Sequence, residues 1–156
     1  MANFHSKPHS GIWAAKAVIF FERKLLLQLR DTSDEIFYPN HWGLFGGEVE
    51  AVEESIGAVK RELTEELSLT ECTPIPLFTW MSPENGATLD FFFVESGSAF
   101  DSLRLNEGQK MDLFRFEELE GLQLTPDIKA NLAKLECCFK RFVRLGSSMS
   151  NRCRQS

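Results

Sequence analysis

The sequence has no apolar run approaching the roughly 20 residues of a membrane-spanning helix, so no membrane partner is expected. It begins without the basic segment followed by an apolar one that marks a secretory leader. Its four cysteines, Cys72, Cys137, Cys138 and Cys153, show no zinc-ligand spacing. Cys137 and Cys138 are adjacent in a predicted helix and so point to different faces; reduced thiols in a cytoplasmic protein are the expectation. Positive charge is also short. Against 23 Asp and Glu stand 17 Lys and Arg, a net charge of −6, which argues against a nucleic-acid polymer as partner. No internal repeat and no second domain is visible. What is present is apolar content of 43%, with fourteen Phe among 156 residues, enough for one folded domain with a substantial core.

Taken in order, residues 1–11 are polar and turn-rich, a flexible lead-in in which His5 and His9 read as exposed rather than metal-bound. Trp13–Phe21 reads as one strand, Glu22–Lys24 as a turn and Leu25–Leu29 as a second strand. Residues 31–41 form a loop, and Trp42–Gly47 a short strand ending in paired glycines. Cys72–Trp80 is a strand whose prolines favour an edge or an irregular start. Thr88–Glu95, with its continuous apolar run, is a strand buried on both faces. Residues 96–110 are a polar loop, Met111–Phe116 a strand, and Phe116–Leu119 a short turn or helix. A last helix starts at Thr125-Pro126-Asp127 and runs to about Leu145, leaving 146–156 as a flexible tail. The domain is placed at 12–145, a mixed α/β arrangement.

The most informative stretch runs from Gly47 to Leu69. On a helix over 53–67, Ile56, Val59, Leu63 and Leu67 share a stripe that a globular protein buries. Glu62, Glu65 and Glu66 share a neighbouring face with small Ala58. Carboxylates at helical spacing repel by roughly 0.2–0.5 kcal/mol per pair. Either water solvates that face, or a cation relieves it; carboxylate oxygens in a cluster suit Mg²⁺ or Mn²⁺.

The spacing resembles the signature of the Nudix hydrolases: Gly, five residues, Glu, seven residues, Arg-Glu-aliphatic-x-Glu-Glu-x-Gly-aliphatic. Gly47, Glu53, Arg61, Glu62, Leu63, Glu65, Glu66 and Leu69 match in register. Ser68 stands where the family has glycine, and Val52 where relatives commonly have another. A residue with Cβ at Ser68 meets a penalty of roughly 1–2 kcal/mol if that position is left-handed. The resemblance extends over about residues 12–145 and implies the Nudix α/β/α sandwich with a mixed sheet.

It also implies hydrolysis of a pyrophosphate bond in a small-molecule nucleoside diphosphate linked to another group, by a monomer or homodimer. A nucleoside triphosphate or nucleotide sugar is the preferred substrate. Implied metal ligands are Glu62, Glu65 and Glu66 with the Gly46 carbonyl; the glycines could also serve only to permit the turn. Arg61 is expected to orient a box carboxylate, and Glu53 to position the loop or Arg61. Some relatives take the general base from the box, which points to Glu65. Others take it from a later loop, where Glu107 stands in a similar place; an exposed loop glutamate is the other reading. Arg30 is a candidate for a substrate phosphate or for a surface salt bridge. Trp80, with Trp13, Trp42, Tyr38 and Phe92, could stack on a nucleobase or belong to the core. The reading from another class is a non-catalytic Nudix-like module that binds a nucleotide or protein. Such modules usually lose carboxylates that this chain keeps.

Overall fold

The computed structural model describes residues 11–96 and 99–153. His5, His9 and most of the expected lead-in therefore lie outside the described residues, as do residues 154–156. No helix among the described residues is long and apolar enough to cross a membrane.

Among the described residues, eight strands form two four-stranded sheets. Four of the strands are β1 (Trp13–Val18), β5 (Phe45–Glu48), β6 (Cys72–Met81) and β7 (Thr88–Ser96), which make a mixed sheet in the order β5-β1-β7-β6. Within it β1 runs parallel to β7 and antiparallel to β5. The second sheet is antiparallel and centred on β3 (Lys24–Leu29). On one edge of β3 lie β2 (Phe20–Phe21) and β4 (Trp42–Gly43) in succession, and on the other β8 (Lys110–Phe114).

Two of the expected strands are each split between these sheets. The run Trp13–Phe21 breaks at Ile19 and the run Trp42–Gly47 breaks at Leu44, so the chain passes from one sheet to the other at each residue. Both pivots are buried, at 1% exposure, which ties the sheets together through the core. Local alternation cannot reveal such a break, because the choice of partner strand is made by distant residues.

The mixed sheet is apolar on both faces. Trp13, Ala15 and Ala17 of β1, with Phe92 and Val94 of β7, face one core; Ala14, Val18, Leu89 and Phe91 face the other. This is the two-sided burial expected of Thr88–Glu95. The first core is closed by α1 (Ser55–Leu67), the second by α2 (Phe116–Leu119), α3 (Pro126–Ala130) and α4 (Leu132–Cys153). Helix α1 starts two residues later than the periodicity suggests. Val59, Leu63 and Leu67 are buried as expected, but Ile56 is 37% exposed. Ser55 and Ala58 take its place on the buried face, where small side chains let the helix lie close to the sheet.

The single C-terminal helix is interrupted at Asn131. Its side-chain Nδ2 donates to Asp127 O at 2.7 Å, taking a carbonyl that a continuous helix would use for its own ladder. Beyond the break α4 continues past Leu145 to Cys153. Phe139 and Phe142 meet Phe20 at ring-centroid distances of 5.3 and 5.7 Å.

Candidate active site

The site is built where α1 passes behind the glycines of β5. Gly46 has φ +134°, a conformation that glycine adopts without a steric penalty. A Cβ there would collide with the carbonyl of Ala15 on the paired strand, and one on Gly47 would lie 2.5 Å from Glu62 Oε1. Gly46 thus lets the paired strand come close, and Gly47 leaves room for the Glu62 carboxylate. The Gly46 N–H donates to Glu66 Oε2 at 3.1 Å.

A cleft of about 390 Å³ opens over this edge. One end carries Lys16, Gly46, Gly47, Glu62, Glu66 and Glu107; Arg30, Tyr38 and Trp80 also line it. Glu66 is 5% exposed. Burial pushes its carboxyl up to about 8; the Gly46 N–H and Lys16 oppose that, while the charges of Glu62 and Glu107 add to it. Burial also raises Glu62, against the pull of its bond to Arg61 and with a push from Glu65 and Glu107.

Arg61 stands at the hub of the remaining acids. Its guanidinium donates to Glu53 at 2.7 and 3.1 Å, to Glu62 at 2.8 Å, to Glu65 at 3.3 Å and to Glu48 O at 3.0 Å. The Arg61 bond holds Glu53 below the usual carboxylate range. Arg61 thus fixes Glu62 from the side away from the cleft. Glu65, with its side chain 53% exposed, lies on this Arg61 side and does not line the cleft. The box glutamates are therefore not equivalent: Glu62 and Glu66 face the cleft, whereas Glu65 is on its rim.

The residues present suit a divalent cation. The donor set is hard oxygen, and Glu66 has one carboxylate oxygen bonded to Gly46 and no donor to the other among the described residues. Positive charge is what such a buried carboxylate lacks. No three Asp, Glu, His or Cys side chains among the described residues are already gathered as a metal site. The turn of Glu65 toward Arg61 accounts for the missing third.

Of the other expected residues, Arg30 lines the cleft and donates Nε–H to Phe37 O at 2.9 Å. It bonds a backbone carbonyl of the 31–41 loop. Tyr38 and Trp80 face the cleft, and the Tyr38 hydroxyl donates to Glu84 at 2.7 Å. Trp13 and Phe92 belong to the core, and Trp42 packs edge-on against Phe114 at 4.8 Å. Sequence reasoning missed Lys16, Asn85, Thr125 and Asp127, all of which line the cleft. Thr125 Oγ1 is buried without a hydrogen-bond partner. Lys16 had a signal, a lone cation inside an apolar strand. Its use depends on the register that sets it beside Gly46.

The sequence model of the NUDIX domain matches residues 12–135. No curated protein matches. Among solved structures, a mutT/nudix family protein from Listeria innocua is 21% identical, with TM-score 0.66, covering 90% of this chain and 99% of that one. A protein from E. coli solved in solution is 27% identical, with TM-score 0.60, covering 80% of this chain and 86% of that one. An ADP-ribose pyrophosphatase from Streptococcus suis is 18% identical, with TM-score 0.64, covering 85% and 92%. With the domain matched over most of its length and the glycine-edged carboxylate cleft in place, the chain belongs to the Nudix hydrolase family, as a pyrophosphohydrolase.

Proposed function

We propose that the chain hydrolyses the pyrophosphate bond of a nucleoside diphosphate linked to another group, with Mg²⁺ or Mn²⁺ held by Glu62, Glu66 and the Gly46 carbonyl, and by Glu65 once it turns from Arg61 toward the cation. The observation that carries this reading is the buried Glu66 carboxylate beside Gly46, at one end of an open cleft. A divalent cation bound there supplies neutralising charge to the phosphoryl oxygens and makes water more acidic.

The chain's own residues do the rest. Lys16 lines the cleft and pairs with phosphate charge. Arg61 fixes Glu62 by donating to its Oε1. Glu107, which also lines the cleft, takes the proton of the attacking water as the new P–O bond forms and the bridging P–O bond breaks, the leaving phosphate keeping the bridging oxygen. Tyr38 and Trp80, which also line the cleft, offer aromatic rings to a base, a contact worth roughly 1–3 kcal/mol. A nucleoside triphosphate or nucleotide sugar is the preferred substrate. ADP-ribose, named for the Streptococcus suis relative, falls in the same general class.

The test is a screen over nucleoside triphosphates, nucleotide sugars and dinucleotides with Mg²⁺ or Mn²⁺, in which the nucleoside monophosphate formed is measured by chromatography. Turnover should vanish in excess chelator and return when cation is restored. Undiminished turnover in chelator would overturn the metal assignment. Tight nucleotide binding with no hydrolysis under any condition would instead favour a binding module.

A further inference from the structure

The loop that carries Glu107 is pinned on both sides of that residue. Upstream, Arg104 N–H donates to Leu67 O at 3.1 Å and Asn106 N–H to Glu66 O at 2.8 Å. The loop thereby runs along the carbonyl end of α1, whose last carbonyls have no partner within the helix. The Asn106 side chain extends the seam: Nδ2 donates to Glu65 O at 2.9 Å and to Ser68 Oγ at 3.0 Å. An amide has two hydrogens to give, and here both have acceptors.

Downstream, Gln109 N–H donates to Leu29 O at 2.9 Å, and its Nε2 donates to Arg30 O at 2.7 Å and Asn40 Oδ1 at 2.8 Å. Between these anchors Gly108 has φ +85°, and a Cβ on it would lie 2.9 Å from Gln28 Oε1. Glu107 takes no part in either seam and lines the cleft. Its charge reaches Glu62 and Glu66, raising both carboxyls.

Ser68 is the residue that departs from the family pattern. It adopts the left-handed conformation, φ 54° and ψ 28°, which glycine would adopt more easily. Glycine, however, would give Asn106 no side-chain acceptor. The serine hydroxyl links the end of the metal-binding helix to the loop bearing the proton acceptor.

We propose that Asn106 is a positioning residue for the reaction, fixing Glu107 over the helix carboxylates by bridging Glu65 O and Ser68 Oγ. This rests on the reading of Glu107 as proton acceptor. The amide clamps the loop to the same helix that carries Glu62 and Glu66, so base and carboxylates move as one unit.

The experiment is a double-mutant cycle with Asn106→Ala and Glu107→Gln, reading kcat, KM and melting temperature at saturating Mg²⁺. Asn106→Ala should lower kcat about 10-fold, within the roughly 10²-fold that a 1 Å misplacement can cost, with KM nearly unchanged. In the Glu107→Gln background the same change should do nothing further, because its effect runs through that carboxylate. Ser68→Gly, which removes one of the two acceptors, should lower kcat less and lose that effect in the same background. An equal kcat loss in both backgrounds, or a lower melting temperature with unchanged kcat, would overturn the proposal. Slow Glu107→Gln beside unimpaired Asn106→Ala would sink the positioning role alone. Wild-type turnover in Glu107→Gln would remove the proton-acceptor reading and this proposal with it, while leaving the metal assignment untouched.

Discussion

Among the carboxylates buried in the described residues, Asp90 and Glu66 have surroundings that separate their uses. Asp90 is 3% exposed, and both of its oxygens are matched: Trp13 Nε1 donates to one at 2.7 Å and the Thr79 hydroxyl to the other at 2.6 Å. It joins neighbouring strands, with a donor supplied to each of its oxygens. Glu66 is buried nearly as deeply, yet one backbone N–H is its only donor among the described residues. A charged group left so poorly matched destabilises the fold, which makes Glu66→Gln informative in two directions. The amide keeps the shape and an acceptor for Gly46, and it removes the charge. Melting temperature at pH 8 in chelator should rise, because the burial penalty is gone, while turnover should fall at least about 10²-fold. Near wild-type turnover at saturating cation would show that the charge of Glu66 is not used.

At the scale of elements, what matters is the approach of α1 to the glycines of β5, and the two glycines predict different failures. For Gly46→Ala the obstacle is backbone, the Ala15 carbonyl on the paired strand, and φ +134° is unfavourable for any Cβ. Stability should drop by roughly 2–4 kcal/mol, read as a lower denaturation midpoint. For Gly47→Ala the obstacle is the Glu62 carboxylate, 2.5 Å from the added carbon. That group ends a flexible side chain, so it moves, and the loss should appear in turnover with stability within about 1 kcal/mol of wild type. Equal loss of stability in both variants would refute this separation. The pattern that makes these glycines recognisable is local. Gly47, Glu53, Arg61, Glu62, Glu65 and Glu66 keep fixed spacing, so a linear reading finds them and the helix they sit on. Contacts set by distant partners leave no such trace. Lys16 enters the cleft only through its register beside Gly46, and Asn106 meets Ser68 across 38 positions of chain. Splits at Ile19 and Leu44 follow from competition between two sheets, and Ile56 is exposed because α1 turns its smaller residues inward. The split of Glu65 from Glu62 and Glu66 was hidden as well, since helical spacing alone makes the three alike while Arg61 decides which way each points.

For the molecule as a whole, the acidic cluster sets how stability depends on pH. Glu66 titrates near 8 in the folded chain against 4.5 for an ordinary glutamate, and Glu62 is raised in the same direction. Between those values the folded state holds a proton that the unfolded state has released. Stability from Glu66 is therefore fully present below about pH 4.5 and is lost as pH rises through about 8, by an amount on the order of a few kcal/mol, and Glu62 acts in the same direction. Glu53 works oppositely: its carboxyl is lowered by Arg61, so its contribution is present above the ordinary value and disappears only in acid. The two effects occupy separate windows, so a melting series from pH 5 to pH 9 isolates the first. In chelator the melting temperature of the wild type should fall across that range, and the fall should be much smaller in Glu66→Gln. A divalent cation favours the ionised carboxylates and its binding releases protons. Adding Mg²⁺ should thus raise the melting temperature more at pH 8 than at pH 5, flattening or reversing the slope. A wild-type slope unchanged by Glu66→Gln would remove that carboxylate as its source, and an Mg²⁺ effect equal at both pH values would mean that the cation binds elsewhere.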